Sequence, residues 1–190
     1  MIVNTLINGT NIMSCVVVGN SCDTNNMGVL IDSHDVVIRT GMAVLSHDTG
    51  NKTDVLVTRT RKVHMTDLSC YNLNNRIDLD EQSSKPHALQ INILHNDSIN
   101  LQTESLLDDI DNCIGLNCDE KPTLGMIAIN LALNMFTKIH ITGVTTEIQA
   151  DHNKGHYGDP EYTRVNDYHS LVKELLHINK MLRLGAIKVL

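Results

Sequence analysis

The sequence predicts an α/β fold: a mostly parallel, twisted sheet with helices packed on both faces. Short apolar runs rich in β-branched residues recur along the chain. Several are continuous rather than alternating, as strands buried on both faces require. Two longer segments carry helical apolar spacing, and strands interleaved with helices build an open parallel sheet. A chain of 190 residues fits one domain, expected to span 1–190, that buries a core without disulfide staples.

The candidate strands are the runs at 15–18, 36–38, 55–57, 89–94, 139–142 and 187–190. The stretch 66–86 is polar and turn-rich and reads as surface loop, with room for one short helix. Residues 104–111 read as an acidic, solvated helix face. Residues 123–136 are apolar nearly all round, which predicts a buried helix with Pro122 in its first turn. The stretch 151–168 is a long loop dense in His, Asn, Asp, Gly and Tyr, a type that is commonly functional. After it, 168–184 places Leu171, Leu175, Ile178 and Leu182 on one helical stripe, with Gly185 as the stop.

Composition narrows the function. One Phe, four Tyr and no Trp leave the core to Ile, Leu, Val and Met and supply few platforms for stacking bases. Net charge is −7, and no basic cluster exists beyond Arg59, Arg61 and Lys62, which argues against nucleic-acid binding. The five cysteines (Cys15, Cys22, Cys70, Cys113, Cys118) form no C-x-x-C pair and leave an odd one over. That argues against a disulfide framework and a structural zinc site and favours a reducing compartment. No apolar run approaches the roughly 20 residues that span a bilayer. The N-terminal segment lacks the basic start and apolar stretch of a signal peptide, so a cytoplasmic location is expected.

Four constellations can carry chemistry. The apolar run Val16-Val17-Val18 ends in Gly19-Asn20-Ser21, where bare amides and short side chains suit a phosphate or nucleotide. The next glycine is Gly28, so the G-x-G-x-x-G dinucleotide fingerprint is absent. The run continues as Ile31-Asp32-Ser33-His34-Asp35-Val36-Val37-Ile38-Arg39 and later Asp48-Thr49-Gly50-Asn51-Lys52-Thr53. The second constellation, Lys121-Pro122-Thr123-Leu124-Gly125, opens the apolar helix with a hydroxyl and a glycine, and the following strand ends at Thr142-Gly143. A helix N-terminus of this kind favours an anion. The third is His156-Tyr157-Gly158-Asp159 and the fourth is His169 with Glu174, a His-x4-Glu pattern. Asp109-Ile110-Asp111 mimics a metal-binding Asp-x-Asp, but in an acidic stretch a solvated helix face is the better reading.

In this order, the four resemble the large, small and two short sialylmotifs of glycosyltransferase family 29, the animal-type sialyltransferases. The resemblance covers 15–53 and 121–190 in patches and points to a short, soluble, microbial or viral-like member. It implies a Rossmann-like, single-domain sialyltransferase-type fold and an inverting transfer of sialic acid, or a related keto-acid sugar such as Kdo, from a CMP-linked donor to an acceptor hydroxyl. By position, His169 is the implied general base, Glu174 its orienting partner and His156 the group that stabilises the departing phosphate. The implied donor-binding set is Gly19, Asn20, Ser21, Arg39, Thr123, Gly125, Gly143 and Tyr157. No metal or other cofactor is implied, because the donor carries a single phosphate. The expected partners are the nucleotide sugar and a glycan or other hydroxyl acceptor, with no nucleic acid and no membrane segment; the oligomeric state is not set. Three positions depart from the family: Gly41 stands where an Asn is usual, Leu124 replaces a hydroxyl, and Phe136 occupies the position of a cysteine that would pair with Cys15. The first two motivate the alternatives of a binding relative without catalysis and of a transferase using another nucleotide sugar.

Overall fold

The computed structural model describes residues 13–19, 26–41, 45–59, 75–78, 89–93, 106–116, 122–144 and 171–190. Its elements are β1 (Ser14–Val18), α1 (Gly28–Asp32), β2 (Val36–Thr40), β3 (Val55–Arg59), β4 (Asn75–Asp78), β5 (Leu89–Ile93), α2 (Leu106–Ile114), α3 (Leu124–Met135), β6 (Lys138–Thr142), α4 (Leu171–Arg183) and β7 (Lys188–Val189). The strands form one sheet in the order β4-β5-β3-β2-β1-β6-β7. From β3 to β7 neighbours run parallel, with Cys15 facing Val36 on one side and Ile139 on the other. β5 is antiparallel to β3, and β4 is antiparallel to β5, so the sheet is mostly parallel as expected.

Both faces of the central strands are buried, which explains their unbroken apolar runs. Cys15 and Val17 of β1 join Val36, Ile38, Val55 and Val57 in one cluster, against α2, α3 and α4. Val16, Val18 and Val37 face the other way, onto Ile31 of α1. Each such side chain contributes about 1.5–3 kcal/mol by leaving water. Helices lie on both faces, unequally: three cover the first, and among the described residues only the five-residue α1 covers the second.

Three expectations change in detail. Asn75–Asp78, inside the stretch read as loop, is an edge strand held by β5. The acidic 104–111 segment belongs to an amphipathic helix whose Leu106, Ile110 and Ile114 are buried at i, i+4 spacing. Pro122 precedes α3 instead of entering its first turn, because Thr123 takes the N-cap. In α4, Leu175 and Ile178 are buried as expected, joined by Met181 and Glu174, and Gly185 terminates it at φ 69°. Among the described residues no helix is long and apolar enough to cross a membrane.

Candidate functional site

The sheet order places β1 between β2 and β6, so the chain changes direction of winding at the β1–β6 seam. In open α/β sheets that seam leaves a crevice at the carboxyl ends of the strands. Gly19 and Gly143 follow β1 and β6 there. The Gly19 amide donates to the Thr142 carbonyl at 2.8 Å. A Cβ on Gly19 would overlap the Gly143 carbonyl and stand 3.0 Å from Val144 Cγ2. Backbone therefore lies on backbone, which only glycine permits.

Val144 connects this seam to α3. A Cβ on Gly125 would meet Val144 Cγ1 at 3.6 Å, an ordinary contact. Thr123 caps α3, its Oγ1 accepting from the Met126 amide at 3.2 Å. The amides of Leu124 and Gly125, in the first turn, have no hydrogen-bond partner among the described residues. Such amides, with the helix dipole, favour an anion.

Glu174, 4% exposed in the first turn of α4, closes the arrangement. Its carboxylate accepts from the Thr123 amide at 2.7 Å and from Thr123 Oγ1 at 2.6 Å. These short charge-assisted bonds clasp the start of α4 to the start of α3. The third and fourth motifs otherwise lie outside the described residues: His156, Tyr157 and His169, as do Asn20 and Ser21. The expected orienting contact from Glu174 to His169 lies there too; what the structure describes is the Thr123 clasp.

Arg39, expected to help hold the donor, is buried and bonded to the 49–53 loop. It is 2% exposed, and Nε donates to the Lys52 carbonyl at 2.9 Å and Thr53 Oγ1 at 3.0 Å, while Nη2 donates to the Thr49 carbonyl at 2.8 Å. It anchors the 46–53 loop beneath β2. The other charges of that motif do similar work. Asp32 accepts from the amides of Asn51 and Lys52, and Asp35 accepts from the amide and hydroxyl of Ser14 at 2.7 and 2.8 Å. The Ser14 bonds hold the exposed Asp35 carboxyl below its ordinary range. Lys52 Nζ donates to the carbonyls of His34 and Asp35. The large motif is thus a self-bracing unit that fixes β1, α1 and β2.

Gly41 adopts φ 65° and its amide donates to the Val57 carbonyl at 2.8 Å. Asn is among the few residues that tolerate this conformation. Cys15 is a buried free thiol in the cluster that also holds Phe136; burial, with Asp54 secondary, pushes its ionisation far up. The sequence reading missed Val144, which carries no signal as an isolated apolar residue after a glycine. It also missed the bracing by Asp32, whose partners lie 19 and 20 residues away.

The fold is a Rossmann-like α/β sheet with Gly19 and Gly143 in close approach at the β1–β6 switch point. The chain matches the model of glycosyltransferase family 29 (sialyltransferase) over residues 3–105 and 60–186. It therefore belongs to that family and is a glycosyltransferase of the sialyltransferase type. Among solved structures, a mammalian sialyltransferase in complex with Gal-beta-1-3GalNAc-ortho-nitrophenol superposes with a TM-score of 0.59 at 17% identity, over 94% of this chain and 69% of that one. Another structure of a mammalian sialyltransferase gives 0.60 at 17% identity, over 94% and 68%. No curated protein sequence matches the chain.

Proposed function

We propose that this protein transfers sialic acid, or a related keto-acid sugar such as Kdo, from a CMP-linked donor to an acceptor hydroxyl with inversion and without a metal. The carrying observation is the clasp from Glu174 to Thr123. It joins two separated motifs where α3 meets Gly19 and Gly143 at the switch point. In this reading the amides of Leu124 and Gly125, which have no partner among the described residues, receive the donor's phosphate and carboxylate together with Gly19, Asn20 and Ser21. His169, which precedes α4, removes the acceptor hydroxyl proton as that oxygen attacks the anomeric carbon. The bond to the CMP phosphate breaks on the opposite side, and His156 donates to the departing oxygen. An imidazole of ordinary pKa, about 6.5, suits this work, and a positioned base contributes about 10²–10⁴-fold.

One domain, 1–190, performs the reaction, and a reduced, cytosolic setting suits the buried free thiol of Cys15. A second reading, a relative that binds CMP without turnover, draws on Gly41, whose amide is tied to β3 and which offers no side chain to the donor.

The test is CMP release from CMP-sialic acid with metal chelated, comparing wild type with His169→Ala, first alone and then with a galactoside acceptor. Release that survives chelation and collapses in the variant supports the transfer reading. CMP binding without release supports the second reading. Neither binding nor release with CMP-sialic acid or CMP-Kdo overturns both.

A further inference from the structure

The sheet face that carries α1 holds another polar constellation, at the opposite end of the strands from the crevice. A cavity of about 260 Å³ opens there, lined by Ser14, Ser33, His34, Lys138 and His140 together with Leu30 and Leu190. Ser14 and Lys138 begin β1 and β6, and the strand rise separates Ser14 from Gly19 by roughly 15 Å.

Its hydrogen bonds fix the protons. His34 Nδ1 lies 2.9 Å from the Leu30 carbonyl, which only accepts, so that nitrogen bears the hydrogen. His34 Nε2 is then the acceptor for Nδ1–H of His140, 2.9 Å away. His140 Nε2 has no partner among the described residues, and it can gain a proton without breaking the pair. The Ser14 hydroxyl is committed to Asp35 and that of Ser33 to the Leu30 carbonyl. Lys138 and Lys188, which stands beside His140 across the β6–β7 ladder, are exposed and have no counter-ion among the described residues. Of the other charges nearby, Asp35 is held by Ser14, and Lys52 is bonded to the His34 and Asp35 carbonyls and paired with Asp54. Among the described side chains that line the cavity, the uncommitted groups are Lys138 and His140 Nε2, and the anion beside them is Asp35, bonded to Ser14 through Oδ2.

We propose that this cavity is a second binding site, for a phosphate group, which His140 engages as an imidazolium together with Lys138. The phosphate supplies a counter-charge to Lys138, Lys188 and His140, which pair with no carboxylate among the described residues. Without it, burial first, then His34, Lys138 and Lys188, hold the His140 imidazole below its ordinary range. Binding therefore strengthens as pH falls, because protonated His140 is the form that donates to the anion. This inference does not depend on the proposed transfer reaction.

The experiment is a titration of the intact protein with inorganic phosphate, at constant ionic strength against chloride, following the His140 ring resonances at several pH values. The expected result is a saturable shift of His140 and a rise in its protonation midpoint. Lys138→Gln, at an exposed position, should weaken phosphate about tenfold, the loss of one charge-assisted hydrogen bond. A parallel arm with glycerol phosphate separates the sources: equal or tighter binding assigns the site to a phosphate ester, weaker binding to the free ion. His140 resonances that respond to phosphate no more than to chloride would overturn the proposal. So would unchanged phosphate affinity in Lys138→Gln. CMP release is unmoved by Lys138→Gln in either case, so this site and the transfer reading fail separately.

Discussion

At the scale of single residues, the buried contact between Glu174 and Thr123 sets the strongest expectation. Thr123→Val removes the hydroxyl that donates to Oε2 and that accepts from the Met126 amide. A buried carboxylate loses a short bond and a helix loses its cap, together about 2–3 kcal/mol by urea unfolding. Thr123→Ser keeps both bonds and should stay near wild type; equal losses in the two variants would show that the bonds of the hydroxyl do not carry the effect. Glycines at the seam divide by the space around them. Gly19→Ala drives a Cβ into the Gly143 carbonyl and should lower both stability and CMP affinity, whereas Gly125→Ala meets Val144 at an ordinary distance and should fold normally. Circular dichroism melting with and without CMP checks both. The motif positions of this site were legible in the sequence because small, polar and charged residues interrupt apolar runs there. Side-chain direction was not. Val36, Val37 and Ile38 are all buried, so no alternation reveals which face Arg39 takes, and an arginine at a strand end reads equally as ligand or brace.

At the scale of elements, the helices and strands that announce themselves are those whose burial is continuous or strictly periodic. β1, β2, β3, β5 and β6 were legible to within two residues at each end, as were the apolar α3 and the body of α4. β4 was not, because Asn75-Arg76-Ile77-Asp78 has a composition that strands avoid, and only its ladder with β5 makes it one. Polar edges of this kind also discourage pairing with other chains. α1 has five residues, too few to show a period. α2 was read from its carboxylates, while its three buried residues decide its place. Ile110, fully buried in the main cluster, is the test: Ile110→Ala should cost about 2–4 kcal/mol. Asn112→Ala, on the exposed side, should cost almost nothing. If the two cost the same, the helix is held by its surface and not by its apolar stripe.

For the whole molecule, the unequal covering of the two sheet faces has a consequence for its response to acid. The main core lies under α2, α3 and α4, while the α1 face carries the paired imidazoles His34 and His140. His140 on that face and half-buried His177 on α4 are both held below the ordinary histidine value of 6.5, by burial in each case and by lysines nearby. An imidazole with a depressed folded pKa binds fewer protons folded than unfolded, so the unfolded chain is favoured as protons are added. The stability from these two groups is complete above pH 6.5 and is lost as pH falls through their lower folded values. Asp35, depressed from 3.8 by its Ser14 bonds, follows the same sign at lower pH: its contribution is present above 3.8 and lost below. Thermal unfolding from pH 8 to pH 3 should therefore show a plateau, a first decline beginning near 6.5 and a second below 3.8. The substitutions His140→Gln and His177→Gln together should flatten the first decline and leave the second, while Ser14→Ala should weaken the second alone. A first decline of unchanged size in the double variant would transfer it to other histidines. Inorganic phosphate should shift the first decline to lower pH in wild type and not in His140→Gln, since an anion bound to protonated His140 stabilises the folded form that acid otherwise opposes.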